Sequence, residues 1–267
     1  MRTALVSVMV ACVVLASAGC GGETTQATRV DMPVGADGTG LVEFDTDEGY
    51  SVQLHAVDMR VERVEFTVGG EAHNDEQAWH QQLMRRVVGE AHAHPNHSAG
   101  GEVGGELPGP VVFQWRPDEF KEVGAGDFLE ADYAGYNLVF PEAPVDESDG
   151  ESLAVELMAR LEGVADNGEN AVEFSVDVDL ADASTIFGGA LSGAIAGDDV
   201  AAVGLQFLPF DEWSGRSIFD EVDFSALSVD DDGIAQIPEG SLAYIHIRLA
   251  LTSHEHYGGR LLEDDDL

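Results

Sequence analysis

Alternation of apolar and polar residues is the dominant pattern of the chain from about residue 50 onward. Between residues 50 and 68 apolar side chains recur at every second position, and the phase slips near Ala56 and near Glu62-Arg63. A period of two that is rich in β-branched and aromatic residues predicts a strand, and a slip in phase predicts a bulge. The same pattern predicts further strands at 110–115, 127–140, 153–161, 171–180, 204–208 and 241–251.

Helical periods are scarce by comparison. Trp79, Leu83 and Val87 recur at i, i+4 and i+8 and predict a helix over residues 75–88. A run of small residues predicts a second short helix over 184–195. Many strands separated by turn residues, with so little helix, favour a mainly β protein built as an antiparallel β-sandwich.

Composition along the chain divides it into three parts. Residues 20–40 are rich in Gly, Thr and Ala and lack an apolar period, so they are predicted to form a flexible tether. Residues 41–267 are predicted to form a single β-sandwich domain with one or two short helices. A long His-rich insertion is expected within it, at about residues 70–109.

The first 19 residues have the pattern of a bacterial export signal. Arg2 gives a positive start, residues 4–16 are apolar, and small residues then lead to Cys20. An apolar stretch of about 13 residues is shorter than the ~20 that a membrane span needs. We therefore predict a lipoprotein signal peptide over 1–19, with Cys20 as the lipidated first residue of a chain held at the cell envelope, on the outer membrane facing the periplasm or the surface.

Charge and cysteine content exclude several classes of function. The chain has 12 basic and 51 acidic residues, a formal net charge of −39, so nucleic acid is excluded as a partner. Cys12 is removed with the signal and Cys20 would carry lipid, which leaves no thiol for a disulfide, a thiolate metal site or cysteine catalysis. The acidic residues are spread along the whole chain, which is typical of a solvated surface.

Histidine is the residue type that points to chemistry. Five of the nine histidines lie within residues 73–97, and three of these form the motif His92-Ala93-His94-Pro95-Asn96-His97. In an extended backbone His92 and His94 project from one face about 6.5–7 Å apart, and Pro95 then redirects the chain so that His97 can supply a third nitrogen. Neutral imidazole binds Zn²⁺ and Cu²⁺, so these three residues are the predicted metal ligands.

A second histidine pair repeats the one-residue spacing near the end of the chain. His254 and His256 flank Glu255 after the strand predicted at 241–251, and they are candidate partners of the first cluster. His55 and His246 lie inside strand patterns and are interpreted as structural. Two other interpretations stay open: histidines that are only solvated loop residues, and a zinc hydrolase in which Glu255 acts as base.

Several segments resemble a family of poorly characterised His-rich lipoproteins of myxobacteria-like Gram-negative bacteria. The resemblance rests on Cys20, the strand pair around 57–68, the motif at 92–97 followed by Gly-Glu-Leu-Pro-Gly at 105–109, and Phe-Asp-Glu-Val-Asp-Phe-Ser at 219–225. More distantly, the β-rich layout is similar to periplasmic copper-binding proteins associated with methanobactin operons. These resemblances imply a β-rich protein that handles metal, without fixing the metal.

Together these features predict a cell-envelope lipoprotein that binds copper or zinc for capture or buffering rather than for catalysis. The main alternative is a non-enzymatic surface or interaction lipoprotein whose histidines are incidental. No protein partner is indicated by the sequence.

Overall fold

The protein is mainly β, as its alternating pattern predicts. The computed structural model describes residues 28–69, 71–72, 98–99, 101–140, 159–180, 185–196 and 200–267. The strands are β1 (Arg29–Asp37), β2 (Phe44–Asp45), β3 (Ser51–Val68), β4 (Glu71–Ala72), β5 (Ser98–Ala99), β6 (Glu102–Trp115), β7 (Phe120–Leu129), β8 (Ala131–Val139), β9 (Ala159–Asp166), β10 (Ala171–Val178), β11 (Thr185–Ile195), β12 (Ala202–Phe207), β13 (Phe210–Asp211), β14 (Arg216–Ser217), β15 (Ser228–Val229), β16 (Ala235–Gln236) and β17 (Tyr257–Leu262). Within these ranges the α-helix is α1 (Leu242–Leu251), and short 3-10 turns occupy Gly38–Gly40, Phe224–Ala226, His254–His256 and Asp264–Asp266.

Eight of the strands form a closed hydrogen-bonded ring. Their order is β3, β6, β7, β1, β12, β17, β11 and β8, and β8 pairs again with β3. Most neighbours are antiparallel, but β1 runs parallel to β12 and β11 runs parallel to β17. The predicted antiparallel sheet is therefore wrong in this respect, because parallel neighbours far apart in sequence leave no trace in a local alternation. The predicted packing of two separate sheets face to face, as in a sandwich, remains a prediction.

The longest strand, β3, joins the ring to the rest of the sheet. Its second half pairs with β8, and its first half pairs with β9, from which the sheet continues through β10 and β16. The register of β3 shifts between Leu54 and Ala56 against β9, and between Val61 and Arg63 against β6. These shifts confirm the predicted bulges. Each extra residue reverses the phase of the alternation and so returns the apolar side chains to the buried face.

Aromatic side chains fill the interior of the ring and bond across it. The indole Nε1 of Trp115 donates to the carbonyl oxygen of Leu205 at 2.6 Å, from β6 to β12. The hydroxyl of Tyr136 donates to the carbonyl oxygen of Gly258 at 2.8 Å, from β8 to β17. Neither pair of strands is adjacent in the ring, so both bonds cross its interior and satisfy polar atoms that would otherwise be buried alone.

A second aromatic cluster covers the part of the sheet outside the ring. The phenyl ring of Phe174 lies 5.0 Å from that of Phe219 and 4.8 Å from that of Phe224, measured between the centroids of the aromatic rings. Tyr50 packs edge-on against Phe224, and its hydroxyl donates to the carboxylate of Asp223. The motif at 219–225 is thus used for packing and for fixing a turn.

The predicted flexible tether over residues 20–40 is wrong from residue 29 onward. Strand β1 begins at Arg29 and pairs with β7 on one side and β12 on the other, with Met32, Val34 and Ala36 buried. Its small residues reflect close packing rather than flexibility: a Cβ atom at Gly35 would lie 2.6 Å from the backbone oxygen of Lys121. The folded domain therefore begins before residue 41.

The strand predicted at 241–251 is instead helix α1. The side chain of Ser241 accepts a hydrogen bond from the backbone N–H of Tyr244 and so caps the first turn. Tyr244, Ile247 and Leu251 are buried, at the i, i+3 and i+7 spacing of one helix face. The alternation in this segment misleads because Ile245 and Leu249, which it assigns to the core, are exposed on the other side of the helix.

The short helix predicted at 184–195 is wrong in the opposite sense, since this segment forms strand β11. Its glycines allow β11 to approach β8 closely: a Cβ atom at Gly189 would lie 2.6 Å from the ring of Tyr136. Gly188 has a positive φ of 85°, and the register against β8 shifts between Ile186 and Gly189. A run of small residues here reflects a bulged strand under a tyrosine ring.

The predicted bounds of the His-rich insertion, about 70–109, are wrong at both ends, because β4 and β5 pair at residues 71–72 and 98–99 and β6 begins at Glu102. Residues 73–97, which include the histidine motif, lie outside the described residues. The helix predicted at 75–88 lies outside the described residues. Within the described ranges, the helix present is not long and apolar enough to cross a membrane.

Candidate functional site

The two ends of the ring differ in what they carry. Arg29 pairs with Leu129 where β1 begins, next to the end of β3 and the start of β6; we call this the Arg29 end. Asp37 pairs with Gln206 where β1 finishes, next to the start of β17; we call this the Asp37 end. Asp37 is eight residues after Arg29, and a rise of about 3.3 Å per residue puts the two ends about 26 Å apart along β1.

A cleft of about 660 Å³ opens at the Asp37 end. Phe207 pairs with Tyr257, so the segment that leaves β12 and the segment that enters β17 meet there. This volume is within the range of small-molecule sites, roughly 300–1,000 Å³. The side chains in its lining that bear on chemistry are Trp213, Arg216, His246, Leu249, Glu255 and His256.

One wall of the cleft is the hairpin of β13 and β14. The carboxylate of Asp211 accepts hydrogen bonds from the backbone N–H groups of Trp213 (3.0 Å) and Ser214 (3.1 Å). Gly215 has a φ of 69°, which closes the turn at little steric cost. The turn holds Trp213 at the tip of the hairpin, where its side chain is 47 % exposed.

His256 forms part of the floor of the cleft and is buried. Its Nδ1 lies 2.8 Å from the carbonyl oxygen of Leu208; because a carbonyl can only accept, Nδ1 carries the proton. Burial lowers the pKa of His256 below the usual histidine value, although the Leu208 carbonyl and the charges of Glu255 and Asp211 oppose the shift. The neutral ring keeps its lone pair on Nε2, which is the form that binds a metal ion or accepts a proton.

The lowered pKa of His256 predicts that the stability of the protein depends on pH. In the unfolded chain a histidine titrates near ~6.5, and the folded protein takes up this proton only at lower pH. Stability is therefore fully present above pH ~6.5 and falls as the pH drops from there toward the folded pKa, by at most about 1.4 kcal/mol per pH unit. Denaturant unfolding at pH values between 7.5 and 5.5 measures it. His256→Gln should flatten this slope; an equal slope in the wild type and in this variant would contradict the assignment.

The second histidine pair does not have the geometry that a strand end would impose. His254–His256 form a 3-10 turn between α1 and β17, in which residues two apart point about 120° away from each other. His256 is buried and His254 only partly so. The one-residue spacing therefore does not place the two imidazoles on one face.

The histidine-rich segment is attached to the opposite end of the molecule. Ala72 pairs with Ser98, just beyond the end of β3 and the start of β6, and both lie at the Arg29 end. His254 and His256 lie at the Asp37 end. His92, His94 and His97, with His73 and His80, fall outside the described residues, so their distances to this pair are not part of the structure.

Among the described residues no group of three His, Cys, Asp or Glu side chains is arranged to hold a metal ion. The hydrolase interpretation needs three such ligands beside Glu255, and the described cleft alone does not supply them. His246, interpreted from sequence as a structural strand residue, lies on α1 and lines the cleft, with Nε2 3.5 Å from the carbonyl oxygen of Ser217.

Sequence reasoning did not single out Trp213 or Arg216 as site residues. A lone tryptophan in a polar segment has no diagnostic pattern. The available signal was the turn itself: Asp211 two residues before Trp213 and Gly215 two residues after it are typical of an Asx turn closed by glycine.

Comparisons with known proteins do not assign the chain to a family. No family model matches it, and no curated protein or solved structure is significantly similar to it. The function must therefore be argued from the residues and their geometry.

Proposed function

We propose that this protein is an exported lipoprotein of the cell envelope that binds divalent copper or zinc for capture or buffering. In this proposal Cys20 carries the lipid and His92, His94 and His97 are the primary ligands. The protein partner, if the cargo is passed on, is left open.

The observation that carries the proposal is how the histidine-rich segment is framed. Strands β4 and β5 pair Glu71 with Ala99 and Ala72 with Ser98, so both ends of the 25-residue segment between them are fixed side by side. The next residue on each side is a histidine, His73 and His97. The segment as a whole contains five of the nine histidines, His92, His94 and His97 among them, which is the densest supply of imidazole ligands in the sequence.

The proposal also predicts which end of the ring of strands would face the membrane. Cys20 lies nine residues before Arg29, so a lipid on Cys20 would tether the Arg29 end to the membrane. The frame of the histidine-rich segment lies at that same end. The metal would then be held on the side facing the membrane, and His254 and His256, at the other end, are not needed as ligands.

The experiment is metal titration of the purified, chelator-treated full chain by calorimetry with Cu²⁺ or Zn²⁺. We expect saturable binding that replacement of His92, His94 and His97 by alanine weakens at least 100-fold. The affinity should fall as the pH drops through ~6.5, because protons and metal compete for the same nitrogen lone pairs.

The matched control replaces His254 by alanine and His256 by glutamine, removing two imidazoles at the Asp37 end. This double variant should keep the wild-type affinity. A loss equal to that of the triple variant would show one shared site instead. Absence of saturable binding in the wild type would overturn the proposal and favour an interaction lipoprotein with incidental histidines.

A further inference from the structure

The cleft at the Asp37 end has a composition that sets it apart from the rest of this acidic protein. Trp213 and Leu249, 47 % and 64 % exposed, give it an apolar wall. Among the described residues that line it, the charged side chains are one guanidinium, Arg216, and one carboxylate, Glu255, in a chain with 12 basic and 51 acidic residues. We propose that this cleft binds a small aromatic zwitterion, of the class of free aromatic amino acids.

Trp213 supplies the surface for the aromatic ring. Asp211 holds the turn that carries it, so the indole is presented at a hairpin tip rather than packed into the core. Leu249 and Ala250 face the same cleft from α1. A rigid aromatic side chain and an aliphatic surface in one cleft accommodate a planar ring at low entropic cost.

Arg216 supplies the group for a carboxylate. Its Nε lies 3.8 Å from the carboxylate of Asp220, beyond the 2.7–2.9 Å of a charge-assisted hydrogen bond. That carboxylate already accepts hydrogen bonds from the backbone N–H of Ser217 at 3.1 Å and from its hydroxyl at 2.8 Å. The Arg216 side chain is 60 % exposed, and its planar set of five N–H donors can take a ligand carboxylate in two parallel bonds.

Glu255 decides between a zwitterion and a singly charged ligand. An anionic ligand that reaches Arg216 would also meet the carboxylate of Glu255, and a cationic ligand would meet the guanidinium of Arg216. A ligand that carries a carboxylate and an ammonium group presents each of these two side chains with the opposite charge. His256, kept neutral by burial, adds no charge to this balance.

The cleft is independent of the proposed metal site. It lies at the Asp37 end, whereas the frame of the histidine-rich segment lies at the Arg29 end. Binding in the cleft can thus fail or succeed whatever the outcome of the metal titration.

The test uses calorimetry on the purified full chain with three probes: L-phenylalanine, phenylacetate and phenethylamine. We expect saturable binding of L-phenylalanine and at least tenfold weaker binding of the other two, each of which lacks one charge. Arg216→Gln and Trp213→Ala should each weaken L-phenylalanine binding at least tenfold. L-phenylalanine should also change the indole fluorescence of the wild type, and that change should be absent in Trp213→Ala.

The control is Arg29→Gln, the same change of charge at the other end of the ring, where the arginine forms an exposed ion pair with Asp127. It should bind L-phenylalanine as the wild type does. Thermal melts verify that each variant is folded, which is expected since both cleft residues are exposed. The proposal is overturned by no saturable binding at millimolar L-phenylalanine, by a preference for phenylacetate or phenethylamine, or by unchanged affinity in the folded Arg216 and Trp213 variants.

Discussion

Replacing Trp115 by alanine is expected to lower the free energy of unfolding by about 3–5 kcal/mol. The indole is 1 % exposed and packs against Phe113 and Phe207, with ring centroids 5.3 and 6.0 Å away. Its removal leaves a cavity in the middle of the ring of strands. The carbonyl oxygen of Leu205, which accepts the indole N–H at 2.6 Å, then loses its hydrogen-bond donor. Urea unfolding followed by circular dichroism measures the change.

The chain provides a matched control in Trp213. The same substitution there removes an equally large side chain that is 47 % exposed at a hairpin tip, so its cost should be below about 1 kcal/mol. Trp115→Phe separates the two parts of the Trp115 effect, because it keeps much of the volume but loses the donor, and should cost about 1–3 kcal/mol. Similar losses for Trp115→Ala and Trp213→Ala would contradict the account of a core built across the ring.

Those parts of the fold that depend on neighbouring residues could be predicted from the sequence. The alternation in β3 and both of its bulges follow from side-chain spacing alone, because one buried face imposes a period of two. The turn at Asp166-Asn167-Gly168 follows from local chemistry, since Asp166 and Asn167 accept backbone N–H bonds and Gly168 takes a φ of 83°.

The parts that failed depend on residues far apart in the chain. Strand β1 does alternate, with Val30, Met32, Val34 and Ala36 at every second position, but Pro33 and Gly35 between them are typical of a loop. Its pairing with β7 on one side and β12 on the other decides that it is a strand. The small residues of β11 predicted a short helix. Their actual role is to make room for the phenol ring of Tyr136, which the local sequence does not show. In α1 the capping bond from Tyr244 to Ser241 and the burial of Ile247 outweigh a strand-like alternation.

In the candidate site, too, features set by neighbouring residues could be predicted from the sequence, and features set by distant residues could not. Histidine clustering at 92–97 is visible in the sequence and remains the basis of the metal proposal. The separation of its frame from His254 and His256 is set by ring topology, which no local pattern records. The cleft is likewise a product of topology, because it joins a hairpin after β12 to a helix before β17.

Replacing Asp37 by alanine is expected to cost about 2–4 kcal/mol of stability, although its ion pair has the same length as a surface pair elsewhere. The Asp37 carboxylate accepts from Arg260 Nε at 2.5 Å and from Gln206 at 3.2 Å, and it also accepts from the backbone N–H and hydroxyl of Thr39. Its side chain is 2 % exposed, so its loss leaves several donors without an acceptor inside the protein. Arg260 is 39 % exposed and can regain water, which keeps the cost below the ~3–5 kcal/mol of a fully buried pair.

The matched control is Asp127→Ala, which breaks the ion pair with Arg29. Its N–O distance is also 2.5 Å, but both side chains are about half exposed, 52 % and 51 %. Water replaces the lost partner there, and the cost should be within about 1 kcal/mol. Asp37→Asn tests whether shape alone suffices. The amide keeps one acceptor oxygen, but its NH2 group faces either the donors of Thr39 or those of Arg260 and Gln206, and the charge opposite Arg260 is lost, so most of the stability loss of Asp37→Ala should remain. If urea unfolding gave equal losses for Asp37→Ala and Asp127→Ala, burial would not be what distinguishes the two pairs, and the polar network at the Asp37 end would contribute no more than a surface contact.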